Sequence, residues 1–120
     1  MQVREQAERT VRGPGHVVSL EPLARDLLSR AREHSSGRAA STLLSGSAMR
    51  ATLIAMTAGT TLSQHDSPPS ATLQSISGTV RMHSADREWV LNEHEFVPIP
   101  PQRHGLTAVT DTVVLLTVAL

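Results

Sequence analysis

The chain has 120 residues, with eleven basic and eleven acidic side chains and no cysteine. A chain of this length is expected to form a single domain around one core. The balanced charge provides no excess positive potential, which disfavours nucleic acid and anionic membranes as partners. The absence of cysteine excludes disulfides, thiolate metal sites and a cysteine nucleophile, and it is compatible with a reducing cytoplasm.

The N-terminal segment is polar. Residues 1–16 end in the cluster Gly13, Pro14 and Gly15, which can continue neither a helix nor a strand. We therefore predict a flexible tail over 1–16. The segment lacks the apolar core of a signal peptide, and the sequence has no apolar run near the ~18 residues of a membrane span. The expected location is cytoplasmic, without a membrane partner.

An amphipathic helix is predicted over about 21–33. The apolar residues Leu20, Leu23, Ala24, Leu27, Leu28 and Ala31 recur at helical spacing. Pro22 is tolerated in a first turn, and Gly37 is a residue type common at helix exits. The leucine stripe needs a surface to cover, which is either the outside of the same domain or a second subunit.

From Arg38 onward the pattern changes to short β-branched or alternating runs separated by Gly, Pro, Ser and Asp. Short polar loops at 84–86 and 110–111 indicate antiparallel neighbours, within a sandwich or a barrel. The last run is apolar at consecutive positions, so we expect it to be buried on both faces or covered by the helix or a partner. The predicted strands are 39–44, 50–58, 61–65, 71–77, 79–83, 87–91, 95–99, 105–109 and 112–118.

Five residues in a fixed order carry a family resemblance, namely Gly59, His65, Gly78, Pro100 and His104. Their order resembles the two-part signature of the cupin superfamily, over about 50–118. The resemblance implies an all-β fold, a cupin-type jelly-roll barrel of short antiparallel strands preceded by one N-terminal amphipathic helix. It also implies a single cupin domain over 17–120 and a homodimer.

The chain departs from the family signature at several positions. Ser67 stands where the family has its second metal-binding histidine, and Ala71 stands where it has a glutamate. In the second half, His94 aligns with a glycine, His104 comes one residue early, and Ala108 replaces an asparagine. Two of the four usual metal ligands are therefore missing from the pattern.

The resemblance implies that His65 and His104 face into the barrel, which makes them the candidate ligand-binding and metal-binding residues. Imidazoles bind transition metals, but a stable mononuclear site normally has three or four protein donors. Two interpretations are compatible with the pair: a site for one divalent metal (zinc, nickel, iron, manganese or copper), or a polar pocket without a metal. Further donors considered are Gln64, Asp66, Gln74, Gln102 and His94.

Other residues complete the candidate site. Arg103, next to His104, is predicted to bind a carboxylate group of a ligand, and Gln74 is a fourth candidate contact. The methionines Met49, Met56 and Met82 are expected in the core. No G-x-S-x-G element is present, which disfavours nucleophilic catalysis.

Three functions are compatible with these patterns. The first is a small-molecule-binding cupin whose ligand contacts the histidines. The second is a metal-dependent cupin enzyme of the dioxygenase or isomerase type, against which the Ser67 and Ala71 positions argue. The third is a ligand-free structural or regulatory homodimer. The patterns do not decide whether the chain is an enzyme.

Overall fold

The computed structural model describes residues 13–120, which form one α-helix and nine β-strands, as predicted. Residues 1–12 of the predicted tail lie outside this range. The elements are α1 (Leu20–Glu33), β1 (Arg38–Ser45), β2 (Met49–Met56), β3 (Thr61–His65), β4 (Ala71–Ser77), β5 (Val80–His83), β6 (Glu88–Leu91), β7 (Phe96–Pro98), β8 (His104–Ala108) and β9 (Thr112–Ala119).

The strands of this part of the chain form two sheets. The first has the order β1-β2-β9-β4-β7, and the second has the order β3-β8-β5-β6. All pairings between strands of residues 13–120 are antiparallel. The sheets face each other across an apolar interior, which confirms the predicted all-β barrel behind one helix. No helix within the described residues is long and apolar enough to cross a membrane.

Aliphatic and methionine side chains from both sheets fill the interior. Met56 and Met82 are fully buried there, as expected, whereas Met49 is 43% exposed at the start of β2, so its assignment to the core is wrong. Close packing of such side chains is the main source of stability in a domain of this size. The buried members of this cluster are Met56, Leu73, Val80, Met82, Leu91, Leu106, Ala108 and Val114.

The helix α1 covers the outer face of the five-stranded sheet. Its buried residues Ala24, Leu27 and Ala31 pack in one cluster with Leu53 and Val113 of the sheet. Along β9, alternate side chains therefore point to the helix and to the interior. Both faces of the central strand are covered by the same chain, which explains its continuous apolar run.

The C-terminal end of α1 is attached to two turns through Asp111. Arg32 donates from Nε and Nη2 to Asp111 Oδ2, at 3.2 and 2.9 Å, and the Ala58 amide donates to Oδ1 at 2.9 Å. The pKa of this carboxyl lies below its ordinary value of 3.8. The hydrogen bond from the Ala58 amide is the largest cause, and the hydrogen bond from the Arg32 guanidinium is the next. These bonds join the helix, the β2–β3 turn and the β8–β9 turn.

Replacing Asp111 by asparagine should lower the free energy of unfolding by about 1 kcal/mol at neutral pH, because the charge that Arg32 pairs with is lost. The carboxyl has a lower pKa folded than unfolded, so its contribution is fully present above the unfolded value and is lost as pH falls through the folded one. The free energies of unfolding of the wild type and the Asp111→Asn variant should therefore become equal at low pH. Urea unfolding of both proteins over pH 2–7 measures this, with Asp86→Asn as the control. A constant difference down to the lowest pH would contradict the assignment.

Candidate histidine site

His65 and His104 lie side by side at one end of the barrel. They are register partners on β3 and β8, and their ring centroids are 4.7 Å apart with the planes at 62°. His104 is only 3% exposed, and it shares the inner face with Leu106 two residues further along β8. His65 is exposed. One imidazole of the pair is therefore buried in the barrel, and the other contacts the solvent.

The main chain fixes both imidazole rings in the same way. His65 Nδ1 lies 3.1 Å from the Ser63 carbonyl oxygen, and His104 Nδ1 lies 3.0 Å from that of Gln102. A carbonyl oxygen only accepts hydrogen bonds, so Nδ1 carries the hydrogen in each ring. The lone pair of each neutral ring is then on Nε2, where it can accept a hydrogen bond from a ligand or bind a metal.

Arg103 lies alongside this pair. Its Nη2 atom donates to the Gln64 carbonyl at 3.1 Å, and its Nε atom is 3.7 Å from Asp66 Oδ1. Gln64 and Asp66 flank His65 in the sequence, so these contacts hold the guanidinium at the end of β3 that carries the exposed imidazole. Arg103 is 64% exposed, which leaves donors available to an incoming anion.

An apolar cavity of about 370 Å³ opens at the seam between β1 and β3. Leu62 contributes to it from β3, and Leu62 pairs with Leu106 in the register next to the histidine pair. Arg38 lies at its edge. The cavity therefore shares only β3 with the histidine site, and neither histidine lines it.

Solved structures show which fold this is. A protein of unknown function from Streptococcus pyogenes superposes with a TM-score of 0.69 at 20% identity, over 90% of both chains. A cupin-2 domain protein from Shewanella frigidimarina gives 0.65 at 15% identity, over 87% of this chain and 95% of that one. A cupin superfamily protein from Desulfitobacterium hafniense gives 0.65 at 12% identity, over 69% of this chain and 77% of that one. The chain has the cupin fold.

No protein-family model and no curated protein matches the sequence, so among the comparisons only the solved structures support the cupin fold. One fold of this kind hosts many functions. The function of this cupin-fold chain is therefore argued from its site.

The donor set does not match a resident metal ion. Among residues 13–120, no group of three or more His, Cys, Asp or Glu side chains is arranged to hold one. At the family's other ligand positions, the Ser67 hydroxyl donates to the Pro68 carbonyl at 3.2 Å, and Ala71 lies on the inner face of β4 without a donor atom. Two imidazoles alone fall short of the three or four donors of a stable site.

Gln74 is not brought to the histidines. It pairs with Leu115 on β9 and Phe96 on β7, and Leu115 packs in the cluster beneath the helix. Its neighbour Leu73 faces the interior. Alternation along β4 therefore directs Gln74 to the outer face of the five-stranded sheet.

His94 occupies an unusual backbone conformation in the β6–β7 turn. Its φ is 71°, and within the described residues no other residue apart from glycine has a positive φ. The family's glycine at this position fits that geometry, which costs other residues about 1 kcal/mol. The imidazole of His94 lies at the edge of a cavity of about 520 Å³ beside α1, outside the barrel.

Proposed function

We propose that this cupin-fold protein binds a small hydroxycarboxylic acid against His65 and His104, with Arg103 binding the carboxylate. The observation that carries the proposal is the pair of imidazoles anchored through Nδ1 beside a guanidinium. Each Nε2 atom accepts a hydrogen bond, and the guanidinium donates. A ligand that offers hydroxyl donors together with a carboxylate acceptor satisfies all three groups.

The packing of the barrel supports a ligand at its end and not deep within it. Met56, Met82 and Val114 of the inner cluster are each 0% exposed. Space remains at the β1–β3 seam, where Leu62 and Ile54 line the cavity of about 370 Å³. None of His65, His104 and Arg103 lines this cavity, so its volume does not set the size of the ligand. The filled interior itself favours a compact molecule at the end of the barrel.

Replacing His65 or His104 by alanine should weaken binding of gluconate at least about tenfold, the effect of losing one or two hydrogen bonds to the ligand. Titration calorimetry with gluconate measures this. Sorbitol, which lacks the carboxylate, and hexanoate, which lacks the hydroxyls, are the matched compounds, and both should bind more weakly. Circular dichroism checks the fold, and His65→Ala is the sharper variant because this side chain is exposed.

His34→Ala is the control, because His34 lies at the C-terminal end of α1 and its imidazole hydrogen-bonds to Ser36, which is not one of the three site residues. It should leave gluconate binding unchanged. Equal binding by the wild type and both site variants would remove His65 and His104 from the site. Equal binding of sorbitol and gluconate would remove the carboxylate requirement, and with it the proposed role of Arg103.

A ligand-free structural or regulatory barrel is the second candidate, favoured by the filled interior. Absence of binding by all three compounds would favour it over a binding protein. The metal-dependent enzyme is the third candidate and requires donors beyond His65 and His104. Binding of a divalent metal, the homodimer and the cytoplasmic location stay predictions from the sequence.

A further inference from the structure

The second cavity lies outside the barrel, between the first half of α1 and the turns at one edge of the five-stranded sheet. Its floor is apolar and comes from two elements, with Leu20, Ala24 and Leu28 on the helix and Ile76 on β4. Its volume of about 520 Å³ is within the range of small-molecule sites. An apolar floor of this kind suits an aliphatic chain.

Charged side chains surround this floor from both sides. Glu21 and Arg25 come from α1, and Glu93 and His94 come from the β6–β7 turn. Arg25 Nη1 lies 3.7 Å from Glu21 Oε2, so the two helix charges offset each other. Glu93 Oε2 lies 3.3 Å from His94 Nε2, and Glu93 Oε1 accepts weakly from the Gly78 amide at 3.5 Å. No guanidinium from residues 13–120 pairs with Glu93.

The strained turn directs these groups to the cavity. The His94 amide donates to the Ser75 carbonyl at 2.8 Å, and the Glu95 amide donates to the Asn92 carbonyl at 3.0 Å. These bonds hold His94 in the left-handed region, where glycine is the usual residue. Backbone strain of this kind concentrates at binding sites. The turn therefore keeps Glu93 and His94 at the edge of the apolar floor.

We infer that this groove binds a small amphipathic amine. The protonated amine contacts the Glu93 carboxylate, and the aliphatic chain covers Leu20, Leu28 and Ile76. Two carboxylates against one guanidinium make the rim negative when histidine is counted as neutral, so it favours a cation over an anion. This site is separate from the histidine site, and it does not depend on the function proposed there.

Octylamine, octanoate and 1-octanol share one chain length and differ in their head groups, so they separate the charge from the apolar contact. Titration of the full chain, followed by amide chemical shifts, should show saturable octylamine binding with the largest shifts at Ile76, Ser77 and His94. Octanoate and octanol should bind at least tenfold more weakly. Glu93→Gln keeps the acceptor for the Gly78 amide and should weaken octylamine binding at least tenfold.

Glu33→Gln is the matched control, because Glu33 is exposed at the far end of α1 and does not line the groove. It should bind octylamine as the wild type does. Octanoate binding as tightly as octylamine would overturn the inference, as would shifts confined to other surfaces or unchanged affinity in Glu93→Gln. Absence of saturable octylamine binding would overturn it as well.

Discussion

Replacing Gly78 by alanine should lower the free energy of unfolding by about 3 kcal/mol or more, and the melting temperature by roughly 10 °C. Gly78 has a φ of 78°, which already disfavours a side chain. A β-carbon there would also overlap the Asp111 carbonyl oxygen and come within 2.9 Å of the Thr112 hydroxyl. Thr112 is fully buried and bonds to the Thr79 carbonyl, so it cannot move aside easily.

Gly59→Ala separates the cost of the left-handed backbone from the cost of the steric overlap. Gly59 has a similar φ of 87°, but a β-carbon there meets nothing within 4 Å. This variant should therefore lose only about 1 kcal/mol, the cost of the left-handed backbone. Urea unfolding of the three proteins measures the difference. Equal losses in both variants would show that the close approach at Gly78 contributes nothing.

The sequence was sufficient to predict the elements because their signals are local. Short alternating runs bounded by turn residues predicted all nine strands of the described range, and apolar spacing predicted α1 to within one residue at its start. The motif order singled out His65 and His104, which prove to be register partners on β3 and β8, although the predicted strand began one residue after His104. Turn chemistry and strand period act between neighbours in the sequence, so they are readable without a structure.

Which face of β4 points inward could not be read in the same way. Leu73 faces the interior and Ile76 faces the helix, so both faces carry apolar residues and alternation gives no clear choice. An irregularity between Ser75 and Ser77 further shifts the register with β9. These features explain why Gln74 could be considered for the site although it lies on the other face.

The groove beside α1 was missed for a different reason. Its lining comes from residues within 20–28, from 76–77 and from 93–94, three segments that are distant in the sequence and share no motif. The one local signal was His94 in place of a motif glycine. In the sequence, that substitution indicates only a departure from the motif. The structure shows that the turn keeps the backbone conformation of a glycine although the residue is histidine.

Combining Ser67→His with Ala71→Glu should raise the affinity for Ni²⁺ or Zn²⁺ at least about 100-fold over the native chain. The resemblance implies these residue types at these positions. Ala71 follows His65 after a short loop and lies on the inner face of β4, so the new carboxylate enters the same end of the barrel. With His104, the site then has four nitrogen and oxygen donors, the number of a stable mononuclear centre.

Competition with a chromogenic chelator measures the affinity, and Ser67→His with Thr72→Glu is the matched control. Thr72 is next to Ala71 on β4, so strand alternation puts the carboxylate introduced by Thr72→Glu on the opposite face. Both double variants introduce the same two residue types. An equal gain in both double variants would mean that the metal binds at the surface. A gain confined to the Ala71 variant and lost on His104→Ala would mean that the two native imidazoles occupy the ligand positions of a cupin centre. The native chain would then lack a stable metal site because two donor side chains are absent, and not because its barrel is built differently.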